Sequence, residues 1–260
     1  YGGFYDLKKL SVKTIKGVQY LAAMNPTSGS FNVVDRIQRH FATLATPFPE
    51  TSTLKSVYQS ILSGHLSNFT EEVAGLSEQL IDATLLLHRE VADSFLPTAI
   101  KFHYQWSLRE LSAVVQGLCL AVPDYFTQPL IMVRLWLHET RRVYSDRLTN
   151  EQDMIRFNQQ LVRVSKRFFE DFKQEELHAE PLAFASFVLS GVDEKVYFPM
   201  ADAEKMRRTL DTKLGEYNAV HTRMDLVLFD RAVEHVCRIS RIIDNPRGNA
   251  LLVGVGGSGK

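Results

Sequence analysis

Three features of the 260-residue sequence predict an α-rich α/β chain. Strand-like apolar runs are confined to the first fifty residues, a long middle stretch has helical periodicity, and an apolar run near the end passes into a glycine-rich loop.

In chain order, residues 17–24 form a near-continuous apolar run that stops at Asn25 and Pro26. Such a run suits a strand buried on both faces of a parallel sheet. Turn residues fill 25–30, a short helical piece ends in Arg36, Ile37, Gln38, Arg39 and His40, and a second apolar run, 41–46, is closed by Pro47 and Pro49. Strand, loop, short helix and strand together resemble the last part of an α/β domain, here 1–49.

From 50 to 173 the period changes to 3.6, with Val73, Leu76, Leu80, Ala83, Leu87 and Val91 spaced by threes and fours. Asp93, Pro97, Pro123, Asp124, Pro129 and Asn150 punctuate this region. Roughly five helices fit, and Ser107 with Glu110 predicts a capping box that opens a helix over 108–120. Residues 174–225 are expected to link this helical subdomain to a new unit, 226–260, although 195–199 has the pattern of a short extended piece and 202–217 of a charged helix. The new unit is expected to hold an amphipathic helix over 226–243, a strand over 249–253 and the loop 254–260. Trp106, Trp136, Phe102, Tyr104 and Leu85 to Leu87 are expected in the core.

Composition narrows the function classes. Thirty basic residues balance thirty acidic ones, so no global positive field points to nucleic acid. No run approaches the ~20 apolar residues of a membrane span, and no leader pattern opens the chain. An intracellular soluble protein without nucleic-acid or membrane partners is the expectation. Cys119 and Cys237 lie apart in helix-like stretches, and His88, His103 and His138 lack zinc spacing, so no metal site is expected. Gly-x-Ser-x-Gly and His-Glu-x-x-His are both missing from the sequence. There is no initiator Met and Lys260 falls inside a motif, so the chain is expected to be a segment of a longer one.

That motif carries the strongest chemistry. Gly254, Val255, Gly256, Gly257, Ser258, Gly259 and Lys260 match a phosphate loop, whose glycines let backbone N–H groups curl around phosphate oxygens while the lysine reaches the outer phosphates. Asn25, at the end of a predicted strand, is placed to orient an attacking water; its plain alternative is a turn-capping amide. Arg36 and Arg39 share a helical face and can neutralise a transferring phosphate in a neighbouring module, or simply be solvated. Arg109, near a helix N-terminus, opposes the helix dipole and so suits an anionic partner, or else a surface ion pair near Glu110.

The order of these parts resembles that of the back half of one AAA+ ATPase module and the front edge of the next. Residues 18–31, 36–41, 95–104 and 249–260 resemble the dynein heavy chain motor of the axonemal type. The resemblance implies a partial AAA+ P-loop module with its helical lid, from the third module, followed by the linker helix, first strand and phosphate loop of the fourth. It further implies that Asn25 is the sensor-1 residue, Arg39 (or Arg36) the arginine finger and Arg109 the sensor-2 arginine. ATP or ADP with Mg²⁺ would be the ligands. Neighbouring modules, intermediate and light chains and, through other regions, microtubules would be the partners, in a cilium or flagellum. The loop at Asn32, Val33, Val34 and Asp35 departs from the Ile-Asn-Pro-Arg type expected there. On the residues alone, a nucleotide-independent helical scaffold or another AAA+ machine remains open.

Overall fold

The structure is a computed structural model that describes residues 2–24, 34–187, 196–200, 202–246, 248–252 and 254. It divides into two units, 1–48 and 49–260.

In the first unit, β1 (Gly3–Asp6) and β2 (Ser11–Thr14) form an antiparallel hairpin with Gly3 opposite Thr14 and Asp6 opposite Ser11. The Asp6 carboxylate shapes the turn by accepting the N–H groups of Lys8 and Lys9 at 3.0 and 3.2 Å. The short helix α1 (Asp35–Gln38) falls where a helical piece was expected. The two predicted strands do not appear. Residues 17–24 and 41–46 have no strand structure, and Tyr20, Leu21 and Leu44 are exposed. A parallel strand exists only through its neighbours, and none of the described residues supplies one.

The second unit is built on helices α2 (Thr51–Leu66), α3 (Glu71–Ala74), α4 (Ser77–Ser94), α5 (Leu108–Leu118), α6 (Pro129–Tyr144), α7 (Glu151–Phe168) and α8 (Gln174–Leu177). Every member of the predicted stripe from Val73 to Val91 is buried; Val73 lies on α3 and Leu76 just before α4, and the spacing of Leu80, Ala83, Leu87 and Val91 keeps these four on one side of α4, which packs on α2, α5 and α7. Pro129 opens α6 at its first turn, where a missing N–H costs nothing, and the Asn150 side chain caps α7 by accepting Asp153 N–H at 3.1 Å.

Trp136, Tyr104, Tyr144, Phe157 and Phe169 fill the core, and their polar atoms are paired. Trp136 Nε1 donates to Thr84 Oγ1 (2.8 Å), Tyr144 Oη meets His88 Nδ1 (3.0 Å) and Tyr104 Oη donates to Asp153 (2.7 Å). Phe102, expected in this core, is instead 71% exposed. It sits on the loop between α4 and α5, outside the helical period that would have turned it inward.

The expected linker stretch contributes to the same core: Leu177, Leu182, Phe184 and Tyr197 belong to it. The Arg134 guanidinium on α6 fixes this passage by donating to the carbonyls of Glu176, Leu177, Ala179 and Pro181 at 2.6 to 3.2 Å. The chain then forms a minimal antiparallel pair, β3 (Phe184–Ala185) with β4 (Phe198–Pro199). Helices α9 (Ala203–Val220) and α10 (Asp230–Asp244) follow, with a small cluster of Ala185, Met200, Met206, Val233 and Cys237 beneath them. Residues 249–252, expected as a strand, are irregular, and Leu251 and Leu252 are exposed. No sheet lies beside them among the described residues.

Among the described residues no helix is long and apolar enough to cross a membrane, and no His, Cys, Asp and Glu group could hold a metal. Cys119 and Cys237 are unpaired thiols, and burial pushes Cys237 up to about 11, which keeps it unreactive.

Candidate functional site

Two places in the second unit bring functional groups together. The first is the start of α5. Ser107 is its N-cap, and the predicted capping box is present: Glu110 Oε2 accepts Ser107 N–H at 2.5 Å and its hydroxyl at 2.9 Å, while Ser107 Oγ accepts Arg109 N–H at 3.3 Å. The box holds the first turn of α5 rigid, and with it the root of Arg109. Glu110 is 4% exposed, and its second oxygen pairs with Arg147 Nη2 at 2.8 Å. Glu110 therefore pairs with Arg147 rather than with Arg109. Arg109 is exposed and has no ion-pair partner among the described residues. Together with His103, Gln105, Ser107, Glu110 and Arg147 it lines a cleft of about 380 Å³. Its uncommitted donor is the Arg109 guanidinium, since Arg147 is taken up by Glu110 and Gln105, and a guanidinium matches the oxygens of a phosphate.

The second place joins α5, α6 and α10. Glu139 of α6 is fully buried, yet it is a carboxylate. Arg241 of α10 grips it, its Nε lying 3.1 and 3.0 Å from the two oxygens and its Nη2 in contact with Oε2. Tyr197 Oη donates to Oε1 at 2.8 Å and also meets His138 Nε2 at 2.9 Å. His138 Nδ1 also lies 3.3 Å from the Leu182 carbonyl, so the single proton of the neutral ring serves one of two oxygens. Burial raises the Glu139 carboxyl, but the Arg241 charge and hydrogen bonds, with help from the Tyr197 hydroxyl, outweigh it and hold the group below its ordinary value. The same burial pushes His138 down to about 3, so the ring is neutral.

Gly117 of α5 completes this joint. A Cβ there would lie 1.9 Å from Glu139 Oε2, so only glycine lets the carboxylate pass between α5 and Arg241. Arg109 and Gly117 stand on one helix, Glu139 touches that helix, and Arg241 sits near the end of the helix that leads toward Gly254. A cavity of about 290 Å³ between α6 and α10 flanks the joint, lined by Arg141, Arg142, Phe184, Met200, Cys237 and Arg238 among others.

The remaining expected site residues stand elsewhere. Arg36 lies within α1 and Arg39 just past its end in the first unit, both exposed, with Arg39 Nε 3.3 Å from His40 Nε2. Gly254 is described and half-buried. Asn25 and Val255, Gly256, Gly257, Ser258, Gly259 and Lys260 lie outside the described residues. Sequence reasoning passed over Gly117, Glu139, Arg147, Tyr197 and Arg241. A signal for two of them existed: Glu139 continues the apolar stripe Met132, Trp136 with spacings of four and three, and Arg241 continues Val233, Cys237 with spacings of four.

Comparison with known proteins covers most of the chain. A model described as the AAA+ lid domain matches residues 80–179, a P-loop containing dynein motor region matches 1–49, and a P-loop containing dynein motor region D4 matches 224–260. Over 264 residues the chain is 48% identical to the dynein beta chain of the flagellar outer arm of Chlamydomonas reinhardtii, covering 100% of this chain and 6% of that one. It is 47% identical over 262 residues to the ciliary dynein beta chain of Heliocidaris crassispina, again with 100% and 6% covered. It is also 46% identical over 259 residues to human dynein axonemal heavy chain 17, with 99% and 6% covered. The chain thus spans about 6% of the length of these relatives. The lid match encloses both Arg109 and Glu139, the D4 match encloses Arg241, and the chain belongs to the dynein heavy-chain family, within its AAA+ motor region.

Proposed function

We propose that this chain serves as the hinge region between two nucleotide sites of an ATP-driven, minus-end-directed microtubule motor. In this reading 1–49 is the end of the third module's α/β part, 50–173 its lid, 174–225 an inter-module linker and 226–260 the start of the fourth module. The observation that carries it is the Glu139 to Arg241 pair, which ties the body bearing Arg109 to the helix that precedes the glycine-rich loop. Rotation of the one would be felt by the other through a contact that does not slide.

Within this reading Arg109 is the sensor-2 arginine of the third module's site and Asn25 its sensor-1 residue. Arg39, or else Arg36, reaches the nucleotide of the preceding module. The loop from Gly254 to Lys260 cradles the phosphates of the fourth. The cationic cleft at α5 fits the polyphosphate of ATP or ADP; Mg²⁺ would enter with the nucleotide and supply charge neutralisation. These sites tune the motor's main cycle. The relatives named for flagellar, ciliary and axonemal dyneins support a place in an axoneme, with neighbouring modules, intermediate and light chains as partners and microtubules reached through other regions of the heavy chain.

The test is calorimetric nucleotide binding to the heavy chain carrying Arg109→Ala, Lys260→Ala or no change. Each substitution is expected to remove a distinct binding event while leaving the circular dichroism intact. Binding like wild type in both variants would overturn the assignment in favour of a helical scaffold.

A further inference from the structure

We propose that Arg147 is a positioning residue for Arg109, present to cancel the charge of Glu110 so that the cleft at α5 accepts an anion. This rests on the reading of that cleft as part of a nucleotide site. The argument begins with Glu110, which cannot leave. One of its oxygens is committed to the Ser107 N–H and hydroxyl, and the residue is 4% exposed. It is therefore a fixed negative charge on the wall of the cleft, adjacent in sequence to Arg109. Taken alone, Arg109 and Glu110 would sum to zero, and a phosphate would approach a carboxylate as closely as a guanidinium.

Arg147 changes that balance. Its Nη2 pairs with the free oxygen of Glu110 at 2.8 Å, and the cleft is left with a net positive charge. The geometry holds it there. Nη1 donates to Gln105 O at 3.2 Å, the guanidinium lies 5.7 Å from the Trp106 ring centre, and the Arg147 carbonyl is bonded by His103 Nε2 at 3.0 Å. All of these contacts come from the segment that leads into α5. Arg147 thus orders the approach to the helix and neutralises its capping carboxylate, without itself needing to touch the ligand.

A charge-compensation experiment in the full heavy chain tests this, with ATP carrying a fluorescent ribose label as the probe. The binding component that disappears in Arg109→Ala defines the site. In Arg147→Ala that component is expected to weaken roughly five- to tenfold, the order set by one unscreened charge a few ångströms away in a half-exposed cleft. Glu110→Gln alone is expected to tighten it, although loss of the ion pair loosens the helix start. The double variant Glu110→Gln/Arg147→Ala is expected to return within about threefold of wild type, because the stranded charge is gone while an amide oxygen can still cap Ser107.

A residue that merely supported the fold would give the opposite pattern, with the double variant at least as weak as Arg147→Ala. That result would overturn the proposal, as would unchanged affinity in Arg147→Ala. If Arg109→Ala removed no component at all, the reading of the cleft itself would fail and this inference with it. Hydrogen exchange across residues 108–118 identifies any variant that has lost its helix, and Arg147→Lys, which keeps the charge, is then expected to bind more tightly than Arg147→Ala.

Discussion

Replacing Arg241 by methionine leaves Glu139 as a carboxylate with no countercharge at a position that is 0% exposed. Of its partners only Tyr197 Oη, at 2.8 Å, would remain in contact with the carboxylate. Removing one member of a buried pair costs about 3–5 kcal/mol, most of it from the charge left behind, which is relieved in part by taking up a proton. The surviving tyrosine hydrogen bond argues for the lower end, about 3 kcal/mol. The effect should concentrate in α10, because the apolar cluster beneath it comprises only Ala185, Met200, Met206, Val233 and Cys237. Hydrogen exchange of residues 230–244 in the heavy chain is the assay. A loss of about 3 kcal/mol accelerates exchange through local opening by roughly two orders of magnitude. The double variant Glu139→Gln/Arg241→Met removes the stranded charge and should recover most of the protection. Unchanged exchange in the single variant, or a double variant as fast as the single, would refute the claim that this pair holds α10 to α6.

Gly117→Ala approaches the same joint from α5. Its Cβ would meet Glu139 Oε2 at 1.9 Å and Cδ at 2.3 Å, so the carboxylate must move away from Arg241, at about 1–3 kcal/mol; faster exchange in α10, with α5 itself still protected, is the expected outcome, and unchanged α10 would show that the carboxylate has room to give. A pH dependence follows from His138. The unfolded imidazole takes a proton near pH 6.5, whereas the buried ring does so only at about 3. Its contribution is thus complete above about pH 6.5 and is lost as pH falls toward 3, with about 2 kcal/mol gone by pH 5. His88 and His178, both pushed down mainly by burial, act in the same direction. Opening free energies from exchange at pH 7 and pH 5 should show this fall, reduced in His138→Gln; equal slopes in the two proteins would place the proton uptake elsewhere.

The sequence made the helical body legible because its helices satisfy themselves locally. The apolar stripe from Leu80 to Val91 and the Ser107 to Glu110 box are rules of spacing within a single helix, and both appear as expected, whereas Val73, expected in the same stripe, falls on the separate short helix α3. The strands at 17–24, 41–46 and 249–252 failed for the converse reason. Their apolar runs encode burial against other strands, and the described residues contain no sheet to receive them. Arg109 stood out as a candidate through its conflict with the helix dipole, whereas Arg147 did not, since nothing local connects it to a cap 37 residues earlier at Glu110. Gly117 is explained only by the approach of Glu139, which no spacing within α5 announces.

Glu139 and Arg241 were legible in principle, and the reason they were passed over bears on how the joint works. Each is a charge of opposite sign placed where the apolar stripe of its helix calls for a hydrophobe. Read singly, each breaks the pattern of its helix. Read as a pair 102 residues apart, they complement one another. An apolar pair in their place would pack at least as well, since burying two charges costs several kcal/mol that their attraction must recover. Apolar surfaces, however, tolerate small rotations and shifts. The bidentate contact does not: Nε must reach both oxygens while Tyr197 holds one of them and Gly117 leaves space for the other. The small cluster under α10 cannot set that angle alone. The orientation of α10 is therefore fixed by direction-sensitive bonds to the body that carries Arg109.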